Sequence, residues 1–251
     1  MKRIIKNLFF QLVPKWLPKN RSSILMYHSV SDMSEYFSSV AVADFTRQME
    51  YLAEKKFSVI SLAELARRLK TMEPLGGSIV LTFDDGYKDN YTNAFPILEK
   101  FGFPATIFVT TGLVGKADKR GLPHLSVDEL KEMEQSGLVS IEPHTKSHPK
   151  LAALALEIAR EEIEGSKKDI EDLLSKSCGY FAYPYGNFND GTARLLKEAG
   201  FRAAVTVEEG TVGPGDDALR LKRNSIDRST TFAQFKGKLS RAVDVYEFLK
   251  L

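Results

Sequence analysis

An α/β fold in a single domain is what this 251-residue chain predicts, on three observations. Short apolar or β-branched runs alternate with stretches of helical period, the pattern of a parallel sheet wrapped by helices. No proline-rich linker, repeat or low-complexity tract divides the chain. Hydrophobic residues make up 43% of it, enough for one sizeable core. Seven or eight strands with helices between them suggest closure into a (β/α) barrel, although an open doubly wound sheet would give much the same pattern.

Strands are expected at 22–27, 57–60, 78–83, 104–110, 138–141, 179–183, 202–207 and 219–226. Helices are expected at 44–55, 61–71, 89–101, 126–136, 152–177, 189–199 and 230–249. Ser61 with Glu64 and Ser126 with Glu129 read as capping boxes, in which hydroxyl and carboxylate satisfy free amides of the first turn. Gly102, Gly137 and Gly200 follow helices as left-handed caps. Residues 29–43, 111–125 and 208–218 are the long unpatterned loops.

Thirty-five basic residues nearly balance thirty-three acidic ones, and a net charge of +2 gives no reason to expect a nucleic-acid binder. The single cysteine, Cys178, excludes an internal disulfide and a cysteine-rich zinc site, and reads as a buried structural thiol. Residues 1–21 stand apart from the 22–251 domain: six lysines and arginines accompany a helical stripe of Ile5, Leu8, Phe9, Leu12 and Trp16. Gln11, Pro14 and Lys15 interrupt the apolar run, which is too short to span a bilayer and lacks the form of a cleaved signal. Two arrangements bury that stripe, a basic amphipathic helix lying on an anionic membrane surface or a helix packed on the domain. The expected location is the cytoplasm, peripheral at the inner membrane face.

Barrel chemistry gathers at strand C-termini, where the unusual residues of this chain fall. The strand 78–83 runs into Asp84, Asp85 and Gly86, placing two carboxylates side by side at the end of a buried strand. Desolvation and mutual repulsion raise both pKa values unless a cation compensates, so the pair predicts a bound ion or proton transfer; an N-cap and turn is the structural alternative. The strand 138–141 leads to His144 and His148; an imidazole pair with one carboxylate and a water makes the usual open zinc site, and two surface histidines without a shared role are the alternative. The first strand delivers His28, either a general acid or a core imidazole. Residues 180–186 end in Pro184-Tyr185-Gly186, a turn that either aims an N–H at a substrate oxygen or simply reverses the chain. His124 sits in a loop and receives no role.

Taken together, Met26-Tyr27-His28, Thr82-Phe83-Asp84-Asp85-Gly86, His144-Thr145-x-x-His148 and Ala182-Tyr183-Pro184-Tyr185-Gly186 resemble the polysaccharide deacetylase family, carbohydrate esterase family 4, from about residue 22 to about residue 230. The resemblance implies a distorted (β/α) barrel of about seven strands, and a divalent ion, most commonly Zn2+, on Asp85, His144 and His148. It also implies Asp84 as catalytic base, Thr145 as the hydrogen bond that holds the metal loop together, and the Tyr185 amide as oxyanion donor. Two positions depart from the commonest branch: Ala182 stands where an arginine steadies the base, and no histidine follows His148. Both departures look like the branch that carries the Met-Tyr-His motif and acts on exported poly-N-acetylglucosamine, where the N-terminal histidine is the acid. By that likeness His28 is the expected acid, and Arg223 is expected to replace the missing arginine beside Asp84.

The activity so implied is metal-dependent removal of acetyl groups from an N-acetylated polysaccharide, oligosaccharide or lipid-linked sugar. The alternatives are an amidase or imidase on a non-sugar substrate, and a non-catalytic glycan-binding relative. Intact ligand and base positions weigh against the second. No tryptophan lies in the barrel region, so Tyr87, Tyr91, Tyr185 and Phe188 are the expected sugar-stacking rings.

Overall fold

In the computed structural model, residues 8–13, 18–32 and 38–249 are described. Nine strands form among them: β1 (Ser23–Tyr27), β2 (Ser29–Val30), β3 (Ser39–Val40), β4 (Ile79–Phe83), β5 (Ala105–Val109), β6 (Val139–Pro143), β7 (Tyr180–Ala182), β8 (Ala203–Val205) and β9 (Asn224–Ser225). Every residue of β1, β4 and β5 is buried, as continuous apolar runs require when both faces of a parallel sheet are covered. Five strands make one parallel sheet in the order β6-β5-β4-β1-β9, while β7 and β8 form a separate parallel pair.

These pieces form a ring. Leu221 bridges Val205 of β8, and three residues later β9 pairs with β1. Between β6 and β7 a side chain takes the place of a ladder: the Glu142 carboxylate accepts the N–H groups of Gly179 and Tyr180, each at 3.0 Å. The ring therefore runs through β1, β4, β5, β6, β7, β8 and the 221–225 segment, the distorted barrel that the resemblance implied.

Outside it lie α1 (Val42–Glu54), α2 (Leu62–Thr71), α3 (Phe95–Phe101), α4 (Val127–Gln135), α5 (Leu156–Leu174), α6 (Asp190–Glu198), α7 (Phe232–Lys238) and α8 (Ala242–Leu249). Each of the longer ones buries one stripe, as α1 does with Phe45, Met49 and Leu52. The Ser126–Glu129 capping box is complete. At Ser61 only the hydroxyl half forms, because Arg67 and Arg68 hold the Glu64 carboxylate instead. Gly102, Gly137 and Gly200 are left-handed, as expected.

Five expected elements differ, among them the 219–226 strand, which opens with a 3-10 turn at Ala218–Arg220 and pairs only at Leu221 and at Asn224–Ser225. Residues 57–60 make only a bridge, Val59 to Ile79, because β5 occupies that edge of β4 from Leu81 onward. The expected 89–101 helix opens with a wide turn, Asn90–Ala94, in which Phe95 N–H donates to Asn90 O; Pro96 follows with no N–H to contribute to an α-helical ladder. The expected 152–177 helix begins at Leu156, after a short 3-10 turn at Leu151–Ala153. The 230–249 helix breaks at Ser240, whose hydroxyl donates to Gly237 O and accepts Ala242 N–H, ending α7 and starting α8.

Residues 8–12 are helical and pack on the C-terminal helices. The seated ring is Phe10, absent from the expected stripe: it is fully buried in a notch where a Cβ on Gly237 would collide with it, and it meets Phe9 and Tyr246 at 5.3 Å. Rotating the segment to fill that notch leaves Leu8 and Leu12 exposed. Ile5 and Trp16 lie outside the described residues. Among those described, no helix is long and apolar enough to cross a membrane.

Cys178 is buried, and burial pushes its thiol well above the usual range. Native protein at neutral pH is therefore expected to resist iodoacetamide over a period in which guanidine-unfolded protein is fully alkylated. Comparable native and unfolded rates would contradict that burial.

Candidate active site

β4 delivers Asp84 still in strand pairing, its N–H donating to Tyr27 O at 2.9 Å, and the chain then turns through Asp85 and Gly86 with φ of 73° and 76°. Asp84 is 3% exposed and faces Arg223, which is fully buried. The pair is bidentate, Nη1 to Oδ1 and Nη2 to Oδ2 both at 2.6 Å. Arg223 Nε donates to Thr206 O at 2.8 Å and Nη1 to Thr82 Oγ1 at 3.2 Å, so the guanidinium is fixed from three directions. Burial alone would raise the Asp84 carboxyl. The Arg223 charge and hydrogen bonds, with smaller contributions from His144 and His28, outweigh it and hold the group well below the usual carboxylate range.

Beside this pair, Asp85 Oδ1 lies 3.3 Å from His148 Nε2 and 3.7 Å from His144 Nε2. One ligand atom from each of the three residues lies within 4.8 Å of the others. A tetrahedral cation about 2.0–2.1 Å from each ligand would separate ligand atoms by roughly 3.3–3.4 Å, so the set fits a small divalent ion. His144 is almost fully buried, and its Nδ1–H donates to Ala182 O at 2.7 Å, leaving Nε2 unprotonated toward Asp85. Burial pushes its pKa down to about 4, so the ring stays neutral as a ligand must.

The loop carrying the histidines is held by its neighbours. His148 N–H donates to Thr145 Oγ1 at 3.0 Å, the hydrogen bond the resemblance implied. From α5, Glu162 accepts the N–H groups of Lys146 and Ser147, each at 2.9 Å, and the Ser147 hydroxyl at 2.6 Å. Thr111 N–H and Gly112 N–H donate to Thr145 O and Lys146 O, and a Cβ on Gly112 would stand 2.5 Å from Lys146 O. Of seven described non-glycine residues with positive φ, four are here: Asp85, Thr145, His148 and Tyr185. Backbone strain is thus concentrated at this end of the barrel.

A cleft of about 690 Å³ opens above these groups. His28, Asp84, Asp85, His148 and Tyr185 line it, so the structure brings together every expected site residue, with Arg223 beneath Asp84. No acceptor for the Tyr185 N–H is found among the described residues, and its ring stands edge-on to His148 at 4.5 Å. Of the four expected sugar-stacking rings only Tyr87 and Tyr185 reach the cleft. Tyr91 instead bonds Glu132 and stacks on Phe95, and Phe188 stacks on Tyr183.

His124, given no role from sequence, also lines the cleft. Its segment pairs antiparallel with Tyr87, an association that no periodicity in residues 111–125 signals. Glu162 and Gly112 were missed for a similar reason. Each holds the histidine loop from a remote segment, and neither belongs to a motif.

The family described as polysaccharide deacetylase matches residues 72–204. The Bacillus subtilis (strain 168) protein YxkH is 32% identical over 201 residues, 80% of this chain and 69% of that one. The poly-beta-1,6-N-acetyl-D-glucosamine N-deacetylase of Staphylococcus aureus (strain N315) is 30% identical over 208 residues, 80% of this chain and 71% of that one. Among solved structures, Streptococcus pyogenes deacetylase PplD in complex with acetate superposes with a TM-score of 0.81 at 28% identity, covering 89% of this chain and all of that one.

Proposed function

Because the chain belongs to the polysaccharide deacetylase family, we propose that its cleft removes acetyl groups from poly-β-1,6-N-acetylglucosamine or a polymer of the same N-acetylhexosamine chemistry. The enzyme is a carbohydrate deacetylase, a hydrolase of N-acetyl amide bonds. One observation carries the reading: three ligand atoms converge beside a second carboxylate clamped by a buried arginine, all in one cleft.

Asp85, His144 and His148 would hold a divalent ion, and zinc suits two imidazoles and one carboxylate. Such an ion, when bound, supplies Lewis acidity toward the amide carbonyl and lowers the pKa of water toward neutrality. Asp84 takes the proton of the attacking water as the new C–O bond forms. Its Arg223 partner keeps it charged at working pH and fixes both oxygens, so the base needs no reorientation. The Tyr185 N–H donates to the oxyanion that develops on the carbonyl oxygen, and its support is an amide with no other acceptor among the described residues, on a left-handed turn facing the cleft. His28 gives a proton to the amine nitrogen as the C–N bond breaks, and acetate and the free amino sugar leave. Its place on the cleft wall supports that role.

Purified protein offered β-1,6-linked N-acetylglucosamine oligomers is expected to release acetate, to stop when treated with a chelator, and to recover with zinc. Parallel arms carry β-1,4-linked oligomers, lipid-linked N-acetyl sugars and a cyclic imide. Acetate from none of the sugars while metal-loaded, or turnover of the imide alone, would overturn the reading.

A further inference from the structure

We propose that His124 is a substrate-binding residue, its Nε2 accepting a hydrogen bond from a ring hydroxyl of the sugar whose acetamide lies over Asp85, His144 and His148. The proposal rests on the deacetylase reading and adds to it the group that grips the sugar.

His124 is 5% exposed, yet it lines the cleft. Its Nδ1 lies 3.2 Å from Leu122 O, and a carbonyl can only accept, so Nδ1 carries the proton and Nε2 bears a lone pair. Nε2 has no hydrogen-bond partner among the described residues, and it is not one of their buried unsatisfied atoms. A core imidazole kept for packing would have both nitrogens satisfied or both sealed away. This one presents an acceptor to the open side.

The ring is also rigid. The His124 backbone pairs antiparallel with Tyr87, two residues beyond Asp85, while its N–H donates to Lys116 O at 2.9 Å. On either side, Lys88 N–H donates to Pro123 O and Leu125 N–H to Gly86 O, both at 2.9 Å. The two rings pack at 4.8 Å, and Arg120 Nη2 reaches the Tyr87 hydroxyl at 2.6 Å. The acceptor is thereby tied to the same turn that carries the candidate base and the first ion ligand, a preorganised arrangement that loses little entropy on binding. A neutral nitrogen lone pair repels anions and matches an O–H donor, and sugars present hydroxyls around the acetamide-bearing ring.

Two substitutions separate the acceptor from the ring. His124→Phe keeps an aromatic plane against Tyr87 but has no acceptor, whereas His124→Gln restores an acceptor near the Nε2 position. For β-1,6-linked N-acetylglucosamine oligomers, His124→Phe is expected to raise KM about three- to tenfold with kcat within about twofold, the usual effect of losing one neutral hydrogen bond. His124→Gln should return KM to within about twofold of the parent, and both variants should bind zinc as the parent does. Calorimetric titration of the same oligomer into zinc-loaded protein carrying Asp84→Asn, with and without each His124 substitution, should show the same order of affinities with little turnover.

A phenylalanine variant with parental KM and affinity overturns the proposal, as do two variants equally impaired or a loss confined to kcat. Oligomer binding lost in His124→Phe, from a parent that binds yet releases no acetate, would uphold the proposal while removing the deacetylase reading. Acetate release by the parent with no effect of His124→Phe would do the reverse. A parent that neither binds nor hydrolyses the oligomer overturns both.

Discussion

Asp84→Asn is expected to lower acetate release by about 10²–10⁴-fold while the ion stays in place, the usual range for loss of a positioned proton acceptor. Asparagine is nearly isosteric, and the three ligand atoms belong to Asp85, His144 and His148, none of which it alters. The substitution also leaves the fully buried Arg223 guanidinium with neutral acceptors only, Thr206 O and Thr82 Oγ1. Some stability is therefore lost with the activity, and turnover should be compared at a temperature where circular dichroism shows both proteins folded. Zinc content by elemental analysis is the deciding measurement. A variant that is folded but metal-free, or one that keeps near-parental turnover, would show that Asp84 is not the base.

Arg223→Met is expected to produce the largest loss of stability. It leaves the Asp84 carboxylate buried without a cation, and breaking one side of a buried ion pair costs about 3–5 kcal/mol. For a chain of this size that corresponds to a fall in Tm of roughly 6–20 °C. The pH dependence has a definite sign. In the parent the folded-state pKa of Asp84 is depressed, so the pair stabilises above the ordinary carboxylate pKa and that contribution fades as the group is protonated in acid. In Arg223→Met burial acts unopposed and raises the folded-state pKa, so the destabilisation grows as pH rises through the ordinary carboxylate range. The gap in Tm should be widest at pH 7, shrink as pH falls through the ordinary carboxylate range, and go on closing in stronger acid as the depressed folded-state pKa of the parent Asp84 is reached. Combining Arg223→Met with Asp84→Leu, which removes both charges, should recover part of the loss. A gap independent of pH, or a double variant no better than the single one, would assign Arg223 a packing role only.

Asp85 and His144 were legible because they follow strands, and strands of continuous apolar residues announce their own ends, whereas His148 was legible from its four-residue spacing to His144. Asp84 and Asp85 follow the 78–83 run, and His144 follows β6. Arg223 was reachable by a different route, through the absence at Ala182 of a charge that a buried carboxylate needs. The structure supplies the reason that position suits alanine: its carbonyl is occupied by His144 and its side chain is fully enclosed. What stayed hidden was of another kind. Glu162 lies fifteen or sixteen residues beyond the amides it holds, and Glu142 ties together segments thirty-seven and thirty-eight residues apart. No local period records such contacts. His124 depends on an irregular loop folding back along Tyr87, and Phe10 on a glycine notch in α7, so both arise from tertiary fit rather than from pattern.

Arg223 lies 139 positions beyond Asp84, whereas every ion ligand is encoded before residue 149. During synthesis, the two loops that carry the candidate ligands leave the ribosome long before the guanidinium does. A chain ending short of Arg223 would hold all three candidate ligand residues but not the counter-charge that offsets burial of the Asp84 carboxylate. The candidate ion site and the charge that offsets burial of the candidate base are thus encoded in separate stretches of the chain, the second of them beside the closing strand.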